Sequence, residues 1–179
     1  MRIRRLLFLT AGFLLAGCLA AGAQEKGKAG VVIGYPGGIG ILWHATDTVA
    51  IRPDFSFSHN SSLGSSGTAG GVNLSVLFYV KKYDNVRTYF SPRFTYTRAT
   101  STIQPTSTQV TLPEVTSTST STGGGGVFGA QYSPVARFSV FGELGIALSH
   151  RESKASSILS SSKANGWGTT AGVGVVFYP

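Results

Sequence analysis

Acidic side chains are scarce in this sequence: seven Asp and Glu stand against fifteen Lys and Arg in 179 residues, and charged residues make up only 12% of the chain. So little charge excludes a solvated disordered chain and a coiled coil, both of which are rich in it. Cysteine occurs once, at Cys18, so no disulfide closes within the chain and no thiolate cluster holds a metal. The three histidines, His44, His59 and His150, have no second His or Cys at ligand spacing, which leaves zinc without a ligand set. Long apolar runs are missing as well. Leu6 to Ala16 falls short of the roughly 20 residues that a membrane-spanning helix needs.

That apolar run follows Arg2, Arg4 and Arg5 and precedes Ala21-Gly22-Ala23, the order of a secretory signal peptide. The sequence therefore predicts a signal peptide over 1–23, cleavage after Ala23, and one mature domain over 24–179. Leu15-Ala16-Gly17-Cys18 offers a competing site of bacterial lipobox type, at which Cys18 would be lipidated. Removing 1–23 takes away three Arg and the cysteine, leaving twelve basic residues against seven acidic ones, a net +5. The remaining basic residues form no stripe interleaved with aromatics, so no nucleic-acid partner is expected.

What is present is a period of two. Val72, Leu74, Val76, Phe78 and Val80 alternate with Asn73 and Ser75; Phe90, Pro92, Phe94 and Tyr96 alternate with Ser91, Arg93 and Thr95. Val140, Leu144, Ile146 and Leu148 share one face of a third run, and Ala171, Val173, Val175 and Phe177 share one face of the last. Apolar residues do not recur at i, i+3, i+4 and i+7. These are two-faced strands. Short connections at Ala45–Thr48, Tyr83–Asn85 and Ser133–Ala136 alternate with three long Ser-, Thr- and Gly-rich ones near 59–70, 99–122 and 151–166, so an up-and-down order puts all the long ones at one end. Pro36-Gly37-Gly38 divides the first apolar segment into two short strands, giving eight; an unbroken segment would give seven.

An exported chain of about ten-residue alternating strands, with short turns at one end and long polar loops at the other, resembles the small bacterial outer-membrane barrels of the OmpA transmembrane-domain and OmpX type. Thr170-x-Gly172-x-x-Val175-x-Phe177 is similar to the C-terminal signal by which the outer-membrane assembly machinery recognises such chains, except that Tyr178 and Pro179 follow the aromatic residue. The resemblance implies an all-β fold, an eight-stranded antiparallel up-and-down transmembrane β-barrel, in the bacterial outer membrane. It implies outer-membrane lipid and the assembly machinery as partners, a monomer, and a surface ligand through the outer loops. In such a barrel the apolar face meets lipid and the other face the lumen. That assigns Arg52, Asp54, Arg87, Arg93 and Glu143 to a charge network inside, because a buried charge needs a partner. An eight-stranded interior is just wide enough for side chains, so a solute pore is not expected. Trp43, Tyr35, Tyr83, Tyr89, Tyr96 and Tyr132 are candidates for an aromatic belt at the membrane surfaces, and Lys81, Lys82 and Arg137 for contact with anionic lipid. The 99–122 segment is either a protruding hairpin or a polar loop.

No catalytic, cofactor-binding or metal site emerges. Ser149, His150 and Glu152 invite comparison with lipid A-modifying barrel enzymes, but adjacent strand residues point to opposite faces, so Ser149 cannot serve His150. Gly123 to Gly126 leads into a strand and not a helix N-terminus, unlike a phosphate cradle. The rival reading from a different class is a soluble or lipid-anchored lipocalin-like barrel around a small hydrophobic ligand. It would place Leu77, Tyr89 and Phe141 in water.

Overall fold

The computed structural model describes residues 26–104, 114–156 and 161–179. The segment predicted as a signal peptide, residues 1–23 with Cys18, lies outside the described residues, as do 105–113 and 157–160 within two of the predicted loops. Eight strands follow in chain order: β1 (Ala29–Tyr35), β2 (Gly38–His44), β3 (Val49–Ser62), β4 (Ser65–Tyr83), β5 (Val86–Ile103), β6 (Val115–Val135), β7 (Phe138–Ala155) and β8 (Ser161–Phe177). Each pairs with its neighbour and β8 pairs antiparallel with β1, so the sheet closes into a ring. Pro36, which cannot donate to a ladder, sits with Gly37 in the β1–β2 turn and makes the count eight.

Closure fixes the tilt. Level partners around the ring run from Val31 to Ile41, then through Pro53, Leu74, Phe94 and Gly124 to Leu148 and Trp167, and the β8–β1 register returns to a level ten residues above Val31 on the line of β1. Ten residues of offset over eight strands corresponds to a tilt of about 40° and an axial rise of about 2.5 Å per residue.

The period of two becomes an inside and an outside. Val31, Ile33, Ile41, Leu74, Phe94, Phe128, Leu144 and Val173 point outward and are exposed, whereas Val32, Leu42, Ala50, Leu77, Tyr89, Phe141 and Val176 point inward and are buried. Two inward glycines make room for inward rings. A Cβ on Gly174 would stand 2.5 Å from Cζ of Phe141 and 2.6 Å from the Ile33 carbonyl oxygen, and one on Gly129 would run into the Tyr89 ring.

Two corrections concern the ends. The segments near 59–70 and 151–166 are largely strand and not loop: His59 pairs with Thr68, Ser62 with Ser65, Arg151 with Ala164 and Lys154 with Ser161; of the two readings of 99–122 the described residues carry the hairpin, Ala99 pairing with Ser119 and Ile103 with Val115. β-Branched Thr favours extended backbone, and the ladder to the adjacent strand, on one side for 59–62 and 161–166 and on both sides for the rest, holds these segments as strand. The reversal predicted at Ser133–Ala136 falls at Ala136–Arg137 because β6 carries an irregularity between Tyr132 and Val135 and continues past it.

Gly174→Val should therefore lower the thermal stability of the folded barrel by about 1–3 kcal/mol, the usual range for overpacking. Gly142→Val, where an added Cβ meets nothing within 4 Å, should leave it unchanged. Thermal melts of the two variants, read by loss of β-sheet circular dichroism, check this contrast.

Candidate functional site

The lumen is layered along the axis. At the short-turn end, His44 from β2, Tyr79 from β4, Gln131 from β6 and Tyr178 from the end of the chain converge. Tyr79 donates to Gln131 Oε1 at 2.8 Å, Gln131 Nε2 donates to the Tyr178 hydroxyl at 3.3 Å, and His44 Nε2 lies 3.1 Å from the same hydroxyl. The His44 ring stacks on Tyr79 with centroids 5.6 Å apart, and the Arg87 guanidinium lies over the Tyr79 ring, 5.5 Å from its centroid. Above it lies an apolar layer of Val32, Leu42, Ala50, Leu77, Tyr89, Phe141 and Val176.

The charges occupy the next layer. Glu143 on β7 is the acceptor at its centre. Arg52 Nη2 lies 2.9 Å from its Oε1 and 3.1 Å from its Oε2, Arg93 Nη2 donates to Oε2, and the Tyr89 hydroxyl donates to Oε1 at 2.8 Å. Arg52 Nε also donates to Asp54 Oδ2 at 3.2 Å, Arg93 Nε donates to Ser75 Oγ at 3.0 Å, and the Arg52 guanidinium rests on the Phe141 ring at 4.8 Å. Two guanidiniums and two carboxylates are thus balanced in one buried network. Of the five charged residues assigned to the lumen by alternation, Arg52, Asp54, Arg93 and Glu143 come together. Arg87 does not join them: its place on β5 is three lumen positions nearer the short-turn end, against Tyr79.

Tyr89 requires a correction. It shares its parity with Arg87, Ser91 and Arg93, so it points into the lumen, fully buried, and not into an outer belt. The other five belt candidates are outward and exposed. Sequence reasoning missed His44, Tyr79, Gln131 and Tyr178. The signal was available for Tyr178, whose parity matches inward Gly172, Gly174 and Val176; the residue after Phe177 packs into the lumen at the short-turn end, and Pro179 is exposed. Thr170 and Gly172 of the C-terminal motif also point inward, and Val175 and Phe177 outward.

Over the charged layer the lumen opens into a cavity of about 330 Å³ walled by Ser56, Asn73, Thr95, Thr97, Ser121 and Thr170 with the inward glycines of β6 and β8. The His150 group is elsewhere. His150 Nδ1 lies 2.6 Å from Asn165 Oδ1 and Glu152 lies 3.8 Å from Lys163, so among the described residues the imidazole is paired with an amide and the acid with a lysine. Among the described residues no group of three or more His, Cys, Asp and Glu is placed to hold a metal.

The outward face carries the complementary pattern. With about 2.5 Å of rise per residue, the exposed apolar and aromatic residues run from Tyr132 and Phe177, about 4 Å below the level of Val31, to Leu148 and Trp167, about 20 Å above it. The band is about 25 Å tall, the height of the apolar band on a membrane barrel.

Two outcomes follow from the lumen geometry. Glu143→Ala strands Arg52 and Arg93 and should cost about 3–5 kcal/mol of stability in detergent; Glu114→Ala, at an exposed position, should cost almost nothing, and equal melting temperatures for the two would refute the network's role. Tyr178→Phe removes the hydroxyl shared by His44 and Gln131 and should cost about 1 kcal/mol, read as a shift in the same melt.

No protein-family model matches the chain, and no curated protein does. Solved structures do. A major outer membrane protein of Thermus thermophilus superposes with a TM-score of 0.55 at 16% identity, over 85% of this chain and 98% of that one. CarO of Acinetobacter baumannii gives 0.44 at 14% identity, over 88% and 100%. Ail, the attachment invasion locus protein of Yersinia pestis, gives 0.41 at 16% identity, over 87% and 100%. The Thermus likeness, spanning nearly all of both chains, joins the closed ring of eight antiparallel strands and the polar lumen in one conclusion: this chain has the fold of the small outer-membrane β-barrels.

Proposed function

We propose that the chain is an integral outer-membrane barrel with a structural or surface-interaction role, its lumen closed to solutes by packed polar and charged side chains. The observation that carries this reading is the inversion of faces. Large apolar residues are exposed in a continuous band outside, while Arg52, Asp54 and Glu143 are buried inside. In water that arrangement would leave a very large apolar surface uncovered, and in a bilayer every exposed group has a compatible solvent. It runs against the lipocalin-like alternative, which needs an apolar lumen. A barrel closed on itself also leaves no unpaired backbone edge across the band's lower half, as hydrocarbon requires.

The short-turn end, with both chain ends, faces the periplasm in this reading, and Thr170, Gly172, Val175 and Phe177 serve as the assembly signal. Lys81, Lys82 and Arg137 then lie at the inner membrane surface, with Lys81 Nζ over the Tyr83 ring at 4.6 Å. On the other side, β3 to β8 continue as a twisted sheet of polar strands beyond the band, the surface available to an external partner. The layered plug blocks conduction: the His44–Tyr79–Gln131–Tyr178 cluster, the apolar layer and the Glu143 network occupy successive cross-sections.

Membrane fractions run unboiled and boiled in SDS test this. A folded form that migrates faster until boiled, and that stays with the pellet after carbonate extraction, is the expected result, with no steady conductance across a planar bilayer. A soluble pool with no mobility shift would overturn the reading.

A further inference from the structure

The barrel wall is not equally tall all round. The β1–β2 hairpin turns at Pro36–Gly37, and its last pairings are Tyr35 with Val173 on β8 and Ile39 with Phe55 on β3. Beyond them, among the described residues, Ser56–Ser62 of β3 and 161–172 of β8 have no strand partner on the side that faces the gap. Tyr35 stands about 10 Å above the level of Val31, whereas outward Phe57, Tyr96, Leu148 and Trp167 stand about 16 to 22 Å above it on the same scale. The top of the hairpin is therefore about 6 to 12 Å below the top of the apolar band on the rest of the barrel.

The gap meets the cavity. Tyr35, Pro36 and Gly37 form its sill, Ser56 and Thr170 its sides, and Arg93 lies on the floor behind. Resting on the membrane placement proposed above, we infer that this notch is a side entrance from the outer half of the bilayer, and that the cavity seats the polar head of a membrane lipid whose acyl chains remain outside in the hydrocarbon. The occupant follows from the level of the opening: the medium that faces it is the upper acyl and headgroup region. A hydroxyl-lined hollow beside hydrocarbon is stable when something polar fills it.

The head chemistry follows from the floor. Two guanidiniums and two carboxylates balance, so a head with large net charge of either sign gains little. Arg93, 18% exposed in its side chain, and Asp54 both reach the cavity, and they present opposite charges. That pair suits a zwitterionic head, the phosphate toward Arg93 and the ammonium toward Asp54, with glycerol and ester oxygens against the Ser and Thr walls. About 330 Å³ lies at the lower end of the range of small-molecule sites, enough for a headgroup but not for a whole lipid.

The full chain, folded into nanodiscs of an equal mixture of phosphatidylethanolamine and phosphatidylglycerol, is given the photoreactive p-benzoylphenylalanine at one position at a time: Thr170 in the cavity, Leu144 on the outward band, or Leu77 below the charged layer. After illumination, lipid adducts are read by mass spectrometry. Adducts are expected with both lipids at Leu144, predominantly with the ethanolamine lipid at Thr170, and with neither at Leu77. Arg93→Ala should reduce the Thr170 adduct by about tenfold, the loss of one charge-assisted hydrogen bond; if that variant does not fold, the head preference at Thr170 decides alone. Labelling at Leu144 without labelling at Thr170 overturns the side entrance and leaves the membrane placement standing. No lipid at Leu144 overturns the placement and the inference with it. Thr170 adducts indifferent to headgroup overturn the zwitterionic assignment.

Discussion

Closure of the sheet, β8 hydrogen-bonded back to β1, is the constraint on which everything else here depends. A ring of eight strands with a ten-residue offset has one possible tilt and one narrow bore. Once the bore is fixed, each inward side chain must fit against those from seven other strands, and each inward polar group must find its partner among them. Gly129 and Gly174 are small because Tyr89 and Phe141 fill the space opposite. Glu143 is the shared acceptor because three donors, on β3 and β5, reach it from across the lumen.

The same constraint separates the interior into layers with different tasks. Charge at mid-height is tolerable only because Arg52 and Arg93 satisfy Glu143, and Arg52 in turn engages Asp54. The apolar layer lies between that network and the short-turn end, and the aromatic cluster built on Tyr178 packs at the bottom. Among the described residues nothing comparable fills the top, where inward residues shrink to Gly, Ser and Thr and leave a cavity. Among the described residues the interior is therefore packed at one end and hollow at the other, a polarity that matches the uneven heights of the strands around it.

Much of this was legible in the residues. Alternation placed Arg52, Asp54, Arg93 and Glu143 on the face opposite Ile51, Phe94 and Leu144, and turn chemistry at Pro36–Gly37 and Asp84–Asn85 marked reversals. Other features were hidden for physical reasons. Tyr89 read as an interfacial aromatic because tyrosine suits both a membrane surface and a lumen hydrogen bond, and only its parity tells them apart. The Ser- and Thr-rich stretches read as loops because polar composition usually means solvent, yet a strand laddered to its neighbour needs no apolar face to stay extended. His44 had no visible role because its partners, Tyr79 and Tyr178, are 35 and 134 residues away in sequence.

What the sequence determined by itself is local: a period of two, the order of the short turns along the chain, and the division of side chains into an apolar set and a polar set, each a consequence of local geometry acting on neighbouring residues. The tertiary structure decided what depends on register between distant strands: which four charges meet, which ring covers which glycine, and how far the β1–β2 hairpin falls short of its neighbours. Register is a property of pairs of strands, and its accumulated offset a property of the whole ring, so no single segment of the sequence carries it.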